Sequence, residues 1–204
     1  SGYTPDALPA RLEVSWVAKA DNPPQPAWSG RDTRMPFDLA FQPVVAGGLV
    51  FFGSSSDCTI YALDAKAGRQ NWTYVTEGPV RFAPAVWKDK LFVVSDDGCL
   101  YCLTARDGIL LSKKRGGPNT EMVLGNDRLI SRWPARGGPV VKDGIVYFGA
   151  GLWPSEGIYL HAIDALTGHT LWVNDSSGNV VLGQPHGGNL ARSGVSIQGY
   201  LAIE

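Results

Sequence analysis

The sequence predicts an all-β chain: a partial β-propeller of four-stranded antiparallel blades, about three of them complete, with partial blades on either side. Three observations predict it. The pattern A-x-D-A-x-x-G-x-x-x-W stands at residues 62–72 and again at 162–172, with a worn copy at 101–112. Each copy closes a set of four strand-length pieces, and such units recurring every ~40–50 residues read as propeller blades. Gly (25) and Pro (14) in 204 residues exceed their usual shares of roughly 7% and 5%, which favours short strands and turns over helices.

In chain order, residues 10–18 carry Trp16 and are expected to be the outer strand of a preceding blade. The first complete blade spans about 41–75, with strands near 41–45, 49–53, 59–63 and 69–75. Gly47-Gly48, Ser54-Ser55-Ser56-Asp57 and Ala65-Lys66-Ala67-Gly68 supply its turns. Leu49-Val50-Phe51-Phe52 does not alternate, so both faces of that strand should be buried, as in a blade sandwiched between neighbours. In the motif, Asp64 can accept turn amides and Gly68 tolerates positive φ. Trp72 opens the outer strand, where its ring can bury against the next blade near the small Ala62.

The second blade spans about 81–115. Its motif positions hold Cys102, Thr104, Gly108 and Ser112, so this blade is expected to be the least well tied to its neighbour. The third, about 136–174, regains Ala162, Asp164, Gly168 and Trp172. Residues 195–204 look like the inner strand of a following blade. Both ends read as cut within a longer chain.

The formal net charge is -1, which gives no electrostatic basis for binding nucleic acid or a charged membrane surface. The longest apolar runs are too short to span a bilayer, and no signal peptide is visible. Cys58, Cys99 and Cys102 are an odd number, which argues against a disulfide framework. Cys99 and Cys102 form C-x-x-C on an expected strand. Side chains three apart there point to opposite faces, so these are expected to be small buried hydrophobes rather than chelators.

The motif at 162–172 resembles the tryptophan-docking motif of the quinoprotein (pyrroloquinoline quinone, PQQ) propellers. The copy at 62–72 departs from it at Ala67, where Thr is usual. More narrowly, the segments at 95–103, 125–138 and 150–157 resemble bacterial PQQ-like propeller proteins. The resemblance covers about 10–204. It implies a periplasmic or otherwise exported protein and leaves activity open, because related propellers range from alcohol dehydrogenases to an outer-membrane assembly factor.

If strands run from the axis outward, the loops within each blade's first and last hairpins share one face. The loops that join blades share the other face with the middle hairpin loops. The long insertions at 21–40, 116–135, 151–157 and 175–194 all fall on that second face, where function usually sits. It carries Trp28, Arg128, Arg132, Trp133, Arg136, Trp153, His186 and Arg192. Arg31 and Arg34 lie on it too. Trp and Arg are the types enriched in binding hot spots, and they suit an anionic or planar ligand. Alternatively, these arginines pair with local carboxylates to hold the loops.

His161 is expected to be structural, His169 solvated, and His186 to be the histidine best placed for function. Asp96-Asp97 reads as an acidic turn, since two carboxylates are too few for a calcium cage. No phosphate-loop pattern occurs. No catalytic residue, cofactor or metal ligand is assigned.

Two readings follow. One is a non-catalytic binding or scaffold propeller within a larger exported bacterial protein. Its partner could be a protein or a small molecule, and its other contacts would be the parent chain's remaining blades or a second copy. The alternative is a fragment of a PQQ-dependent alcohol or sugar dehydrogenase holding PQQ with calcium, with Trp133 or Trp153 stacking on the cofactor. The resemblance would then call for an adjacent cysteine pair and a Glu, Asn and Asp ligand set, neither of which this sequence displays.

Overall fold

Short apolar runs separated by glycine turns fold here into three sheets, each built on four antiparallel strands, the third carrying a fifth, parallel strand. The computed structural model describes residue 7 and residues 11–28, 37–125, 127–184 and 187–203. The first sheet contains β1 (Val44–Ala46), β2 (Leu49–Gly53), β3 (Thr59–Asp64) and β4 (Gln70–Val75), in that spatial order. The second repeats the order with β5 (Ala85–Trp87), β6 (Lys90–Val94), β7 (Cys99–Thr104) and β8 (Leu110–Arg115). A separate hairpin follows, β9 (Met122–Gly125) and β10 (Arg128–Ser131). The third sheet is β11 (Gly137–Lys142), β12 (Ile145–Ala150), β13 (Tyr159–Asp164) and β14 (Thr170–Asn174). A second hairpin, β15 (Val180–Gly183) and β16 (Leu190–Ser193), precedes the short β17 (Gly199–Tyr200).

The blades pack face to face through two apolar clusters that share the middle sheet. Leu91 and Val93 of β6 join Phe51, Ile60, Ala62 and Trp72 of the first sheet. Phe92 and Val94 of the same strand join Val146, Phe148 and Ile163 of the third. β6 is therefore buried on both faces, as a central blade requires, and each of its four apolar side chains contributes roughly 1.5–3 kcal/mol of burial. β2 behaves differently: Phe51 is buried, whereas Val50 and Phe52 are only partly covered. Their side faces a cavity of about 500 Å³ that Trp16 closes only in part.

The repeat motif works between blades. Asp64 accepts the amides of Lys66 and Ala67 at 2.9 and 2.7 Å, and Asp164 does the same for Leu166 and Thr167. Gly68, Gly108 and Gly168 all adopt positive φ. Trp72 of the first blade donates its Nε1–H to the Ala105 carbonyl of the second at 3.1 Å, and its ring lies flat over Gly108, where a Cβ would come within 2.5 Å. Trp16 repeats this on the first blade, donating to Ala65 at 2.9 Å over Gly68. Residues 11–20 thus supply the docking tryptophan of a preceding blade without forming a strand themselves.

The C-terminal segment differs from expectation. Instead of opening a following blade, β17 pairs in parallel with β11, Gly137 opposite Gly199. The reason is a notch without side chains. A Cβ on Gly137 or Gly149 would lie 2.6 or 2.7 Å from Ile197, which fills the space. The Tyr200 hydroxyl accepts the Ala83 amide at 3.0 Å, and its ring meets Phe82 edge-on. Two of the long insertions, 116–135 and 175–194, hold the β9–β10 and β15–β16 hairpins. Cys99 and Cys102 are buried free thiols, and burial pushes the Cys99 thiol up to about 11.

Candidate binding face

The insertion face is built around a buried ion network. Asp96, in the β6–β7 loop, receives Arg136 through two parallel bonds, Nε to Oδ1 and Nη2 to Oδ2, each 2.9 Å. Arg81 Nε donates to Asp96 Oδ2 at 2.7 Å, and Arg81 Nη1 reaches Asp38 and the Gln25 carbonyl. All four side chains are at most 4% exposed. Burial acts to raise the Asp96 carboxyl, but Arg136 and then Arg81 outweigh it and hold the group below the ordinary carboxylate range. Asp96-Asp97 does form a turn, yet it faces inward: Asp97 accepts the Tyr101 hydroxyl and pairs with Lys113.

Arg81 and Arg136 occupy the same place in successive blades. Each stands three residues before the proline that leads into an inner strand, in Arg81-Phe82-Ala83-Pro84 and Arg136-Gly137-Gly138-Pro139. The first blade has Ala40 at that position, before Pro43. Sequence reasoning missed Asp38, Arg81 and the hub role of Asp96. The repeated R-x-x-P was the available signal, because a charge inside the apolar stretch 79–84 needs a buried partner.

Above this network lies an open pocket of about 300 Å³. It brings together four residues singled out from the sequence: Trp28, Arg132, Arg136 and Trp153. Val123, Leu124 and Ile130 of the β9–β10 hairpin make one wall, and Leu152 and Pro134 add to the lining. Trp28 and Trp153 meet edge to face with centroids 6.2 Å apart. The Arg136 guanidinium stands 6.0 Å over the Trp28 ring. Trp153 is 53% exposed, whereas the Trp28 Nε1 is buried with no hydrogen-bond partner among the described residues.

The other residues singled out are placed elsewhere. Trp133 is 5% exposed and donates its Nε1–H to the Glu156 carbonyl at 2.6 Å. It packs on Gly117 and Tyr159 behind the pocket and is not part of its lining. Arg132 pairs with Glu121 and Glu156. Arg128 donates to the carbonyls of Ser55 and Ser56, each at 2.8 Å, and to Gln25, pinning β10 to the first blade. Arg192 lies exposed on β16, opposite Val181. His186, Arg31 and Arg34 lie outside the described residues. His161 is buried, with Nε2 2.8 Å from the Gly116 carbonyl and its ring stacked on Phe148; His169 is exposed.

Docked blades, each built on four antiparallel strands, define a PQQ-like β-propeller segment. The family model described as outer membrane protein assembly factor BamB matches residues 15–132, and the chain belongs to this PQQ-like repeat family. Among solved structures, BamB from Moraxella catarrhalis aligns at a TM-score of 0.51 and 23% identity, over 71% of this chain and 39% of that one. Quinohemoprotein alcohol dehydrogenase from Comamonas testosteroni aligns at 0.53 and 27%, over 66% and 20%. Quinohemoprotein alcohol dehydrogenase ADHIIG from Pseudomonas putida HK5 aligns at 0.54 and 26%, over 70% and 21%. The chain therefore spans about two fifths of the BamB structure and about a fifth of each dehydrogenase. No curated protein sequence matches. No helix among the described residues is long and apolar enough to cross a membrane.

Proposed function

We propose that this chain is a non-catalytic segment of a larger exported bacterial propeller protein, and that its insertion face is a binding surface. The observation that carries this is the state of the arginines. Arg81 and Arg136 are committed to Asp96 and Asp38, Arg132 to Glu121 and Glu156, and Arg128 to backbone carbonyls. What the face offers outward is an apolar, tryptophan-framed pocket. Its best occupant is an apolar or aromatic group, from a protein side chain or a small molecule. The family and the likeness to BamB support an exported setting.

The alternative, a fragment of a PQQ-dependent dehydrogenase, draws on the 27% and 26% identities to two such enzymes. The state of the buried arginines favours the binding reading. The two buried arginines that could meet carboxylates of a cofactor are already bound to Asp96. Among the described residues, no three His, Cys, Asp or Glu side chains gather as metal ligands.

Titration with anilinonaphthalene sulfonate tests the pocket. One saturable site is expected, weakened about tenfold by Trp153→Ala, with the far-ultraviolet circular dichroism unchanged. If the titration is the same after both Trp28→Ala and Trp153→Ala, the insertion-face reading fails.

A further inference from the structure

The junction between the second and third blades repeats the docking geometry with the tryptophan missing. At the first junction Trp16 covers Gly68 and donates to Ala65; at the second Trp72 covers Gly108 and donates to Ala105. At the third, Gly168 and the buried Ala165 occupy the same motif positions, but the residue equivalent to Trp72 is Ser112. The nearest atom to a Cβ on Gly168 is Ser112 Oγ at 3.9 Å, against 2.6 and 2.5 Å to the indole rings at the other two glycines. No indole among the described residues donates to the Ala165 carbonyl. Lys90 Nζ instead donates to the adjoining Leu166 carbonyl at 2.6 Å, which ties the blades together without filling the space.

That space is an open cavity of about 170 Å³ whose lining includes Phe92, Cys102, Ser112 and Gly168, together with Lys90 and Lys114. Ser112 is exposed, so the cavity has an entry from solvent. Its size is comparable to the apolar cavities of ~150 Å³ that take up benzene. The chain itself shows what such a socket accepts, because two equivalent ones are filled by indole rings.

We propose that this junction is a binding site for a small planar aromatic ligand of the indole class. The ring lies flat over Gly168 between the two sheets, and its N–H donates to the Ala165 carbonyl. The site is on the rim of the blades, separate from the insertion-face pocket, and does not depend on that pocket's role.

Indole itself is the probe, followed by thermal shift and by amide chemical shifts. The expected result is a saturable rise in melting temperature with half-saturation near or below about 1 mM, well within the affinity attainable for a ligand of this size. Shifts should map to 165–168 and not to 105–108, where Trp72 already sits. Ser112→Trp should abolish the response by filling the socket. Naphthalene, of similar shape but without the N–H, should bind at least fivefold more weakly. Absence of saturable binding, shifts that map away from 165–168, an undiminished response in a folded Ser112→Trp variant, or equal binding of naphthalene would each overturn the assignment. The wild-type shift map decides the matter even if Ser112→Trp does not fold.

Discussion

Arg136 and Asp96 meet through two parallel hydrogen bonds of 2.9 Å, with both side chains at most 4% exposed. The pair joins the loop of the second blade to the lead-in strand of the third, and Arg81 joins the same carboxylate from the second blade's own lead-in. Asp96→Ala would leave two guanidinium groups buried without this partner. The expected loss is about 3–5 kcal/mol, the usual cost of breaking a buried ion pair from one side, read as a lower urea midpoint. A loss below about 1 kcal/mol would mean that water reaches the arginines.

Acid should unfold the protein partly through the same residue. The Asp96 carboxyl is held below its ordinary value in the folded state, so its contribution is complete above the unfolded aspartate value of ~3.9. It is lost as pH falls through the folded value. Asp96→Asn should therefore flatten the stability profile below about pH 4. An unchanged acid limb would assign acid unfolding to other carboxylates.

His161 contributes at milder pH. Burial is the main influence on it and lowers its folded value below the ordinary one, so the neutral ring is the form the fold prefers. Stability from this group is present above the unfolded value of ~6.5 and declines as pH falls below that value. His161→Phe, which can keep the stack on Phe148, should remove the decline below about pH 6.5 in urea titrations.

The tryptophans of the repeat should differ in weight. Trp72 is 9% exposed and docked on Ala105, whereas Trp172 is 44% exposed. Trp72→Ala should cost about 3–5 kcal/mol, as for a buried Trp, and Trp172→Ala about 1 kcal/mol or less. Equal costs in chemical denaturation would contradict the docking account.

The turn glycines give a matched comparison. Gly108 and Gly168 have φ of 71° and 75°, so alanine at either carries a left-handed strain of about 1–2 kcal/mol. At Gly108 the new Cβ would also strike the Trp72 ring. Gly108→Ala should thus be the more destabilising, while Gly168→Ala should show the backbone strain alone.

The blades were legible because their signals are local. Asp64, Gly68 and Trp72 fall within one short pattern, and the copy at 101–112 departs from it visibly, with Ser112 in the Trp position. The ion network was not legible in the same way, because Asp96 finds Arg81 and Arg136 at separations of 15 and 40 residues. Nor does residue type tell orientation. Trp133 and Trp153 lie on the same insertion face and are equally suited to binding, yet Trp133 is buried at 5% and Trp153 stands out at 53%. The parallel seat of β17 depends on Gly137 and Gly149 together accepting Ile197, a match between distant segments that no strand pattern contains. The β9–β10 hairpin had a signal: two short apolar runs around Asn126-Asp127, a dipeptide suited to a tight turn, with Asp127 at φ 62°.

Titration of the full-length parent protein with PQQ at millimolar Ca²⁺, followed by tryptophan fluorescence and by dye-linked alcohol oxidation, tests the non-catalytic reading most directly. With Arg81 and Arg136 held by Asp96, no saturable quenching and no oxidation should appear. Tight, saturable quenching accompanied by alcohol-dependent dye reduction would contradict it and establish the dehydrogenase reading.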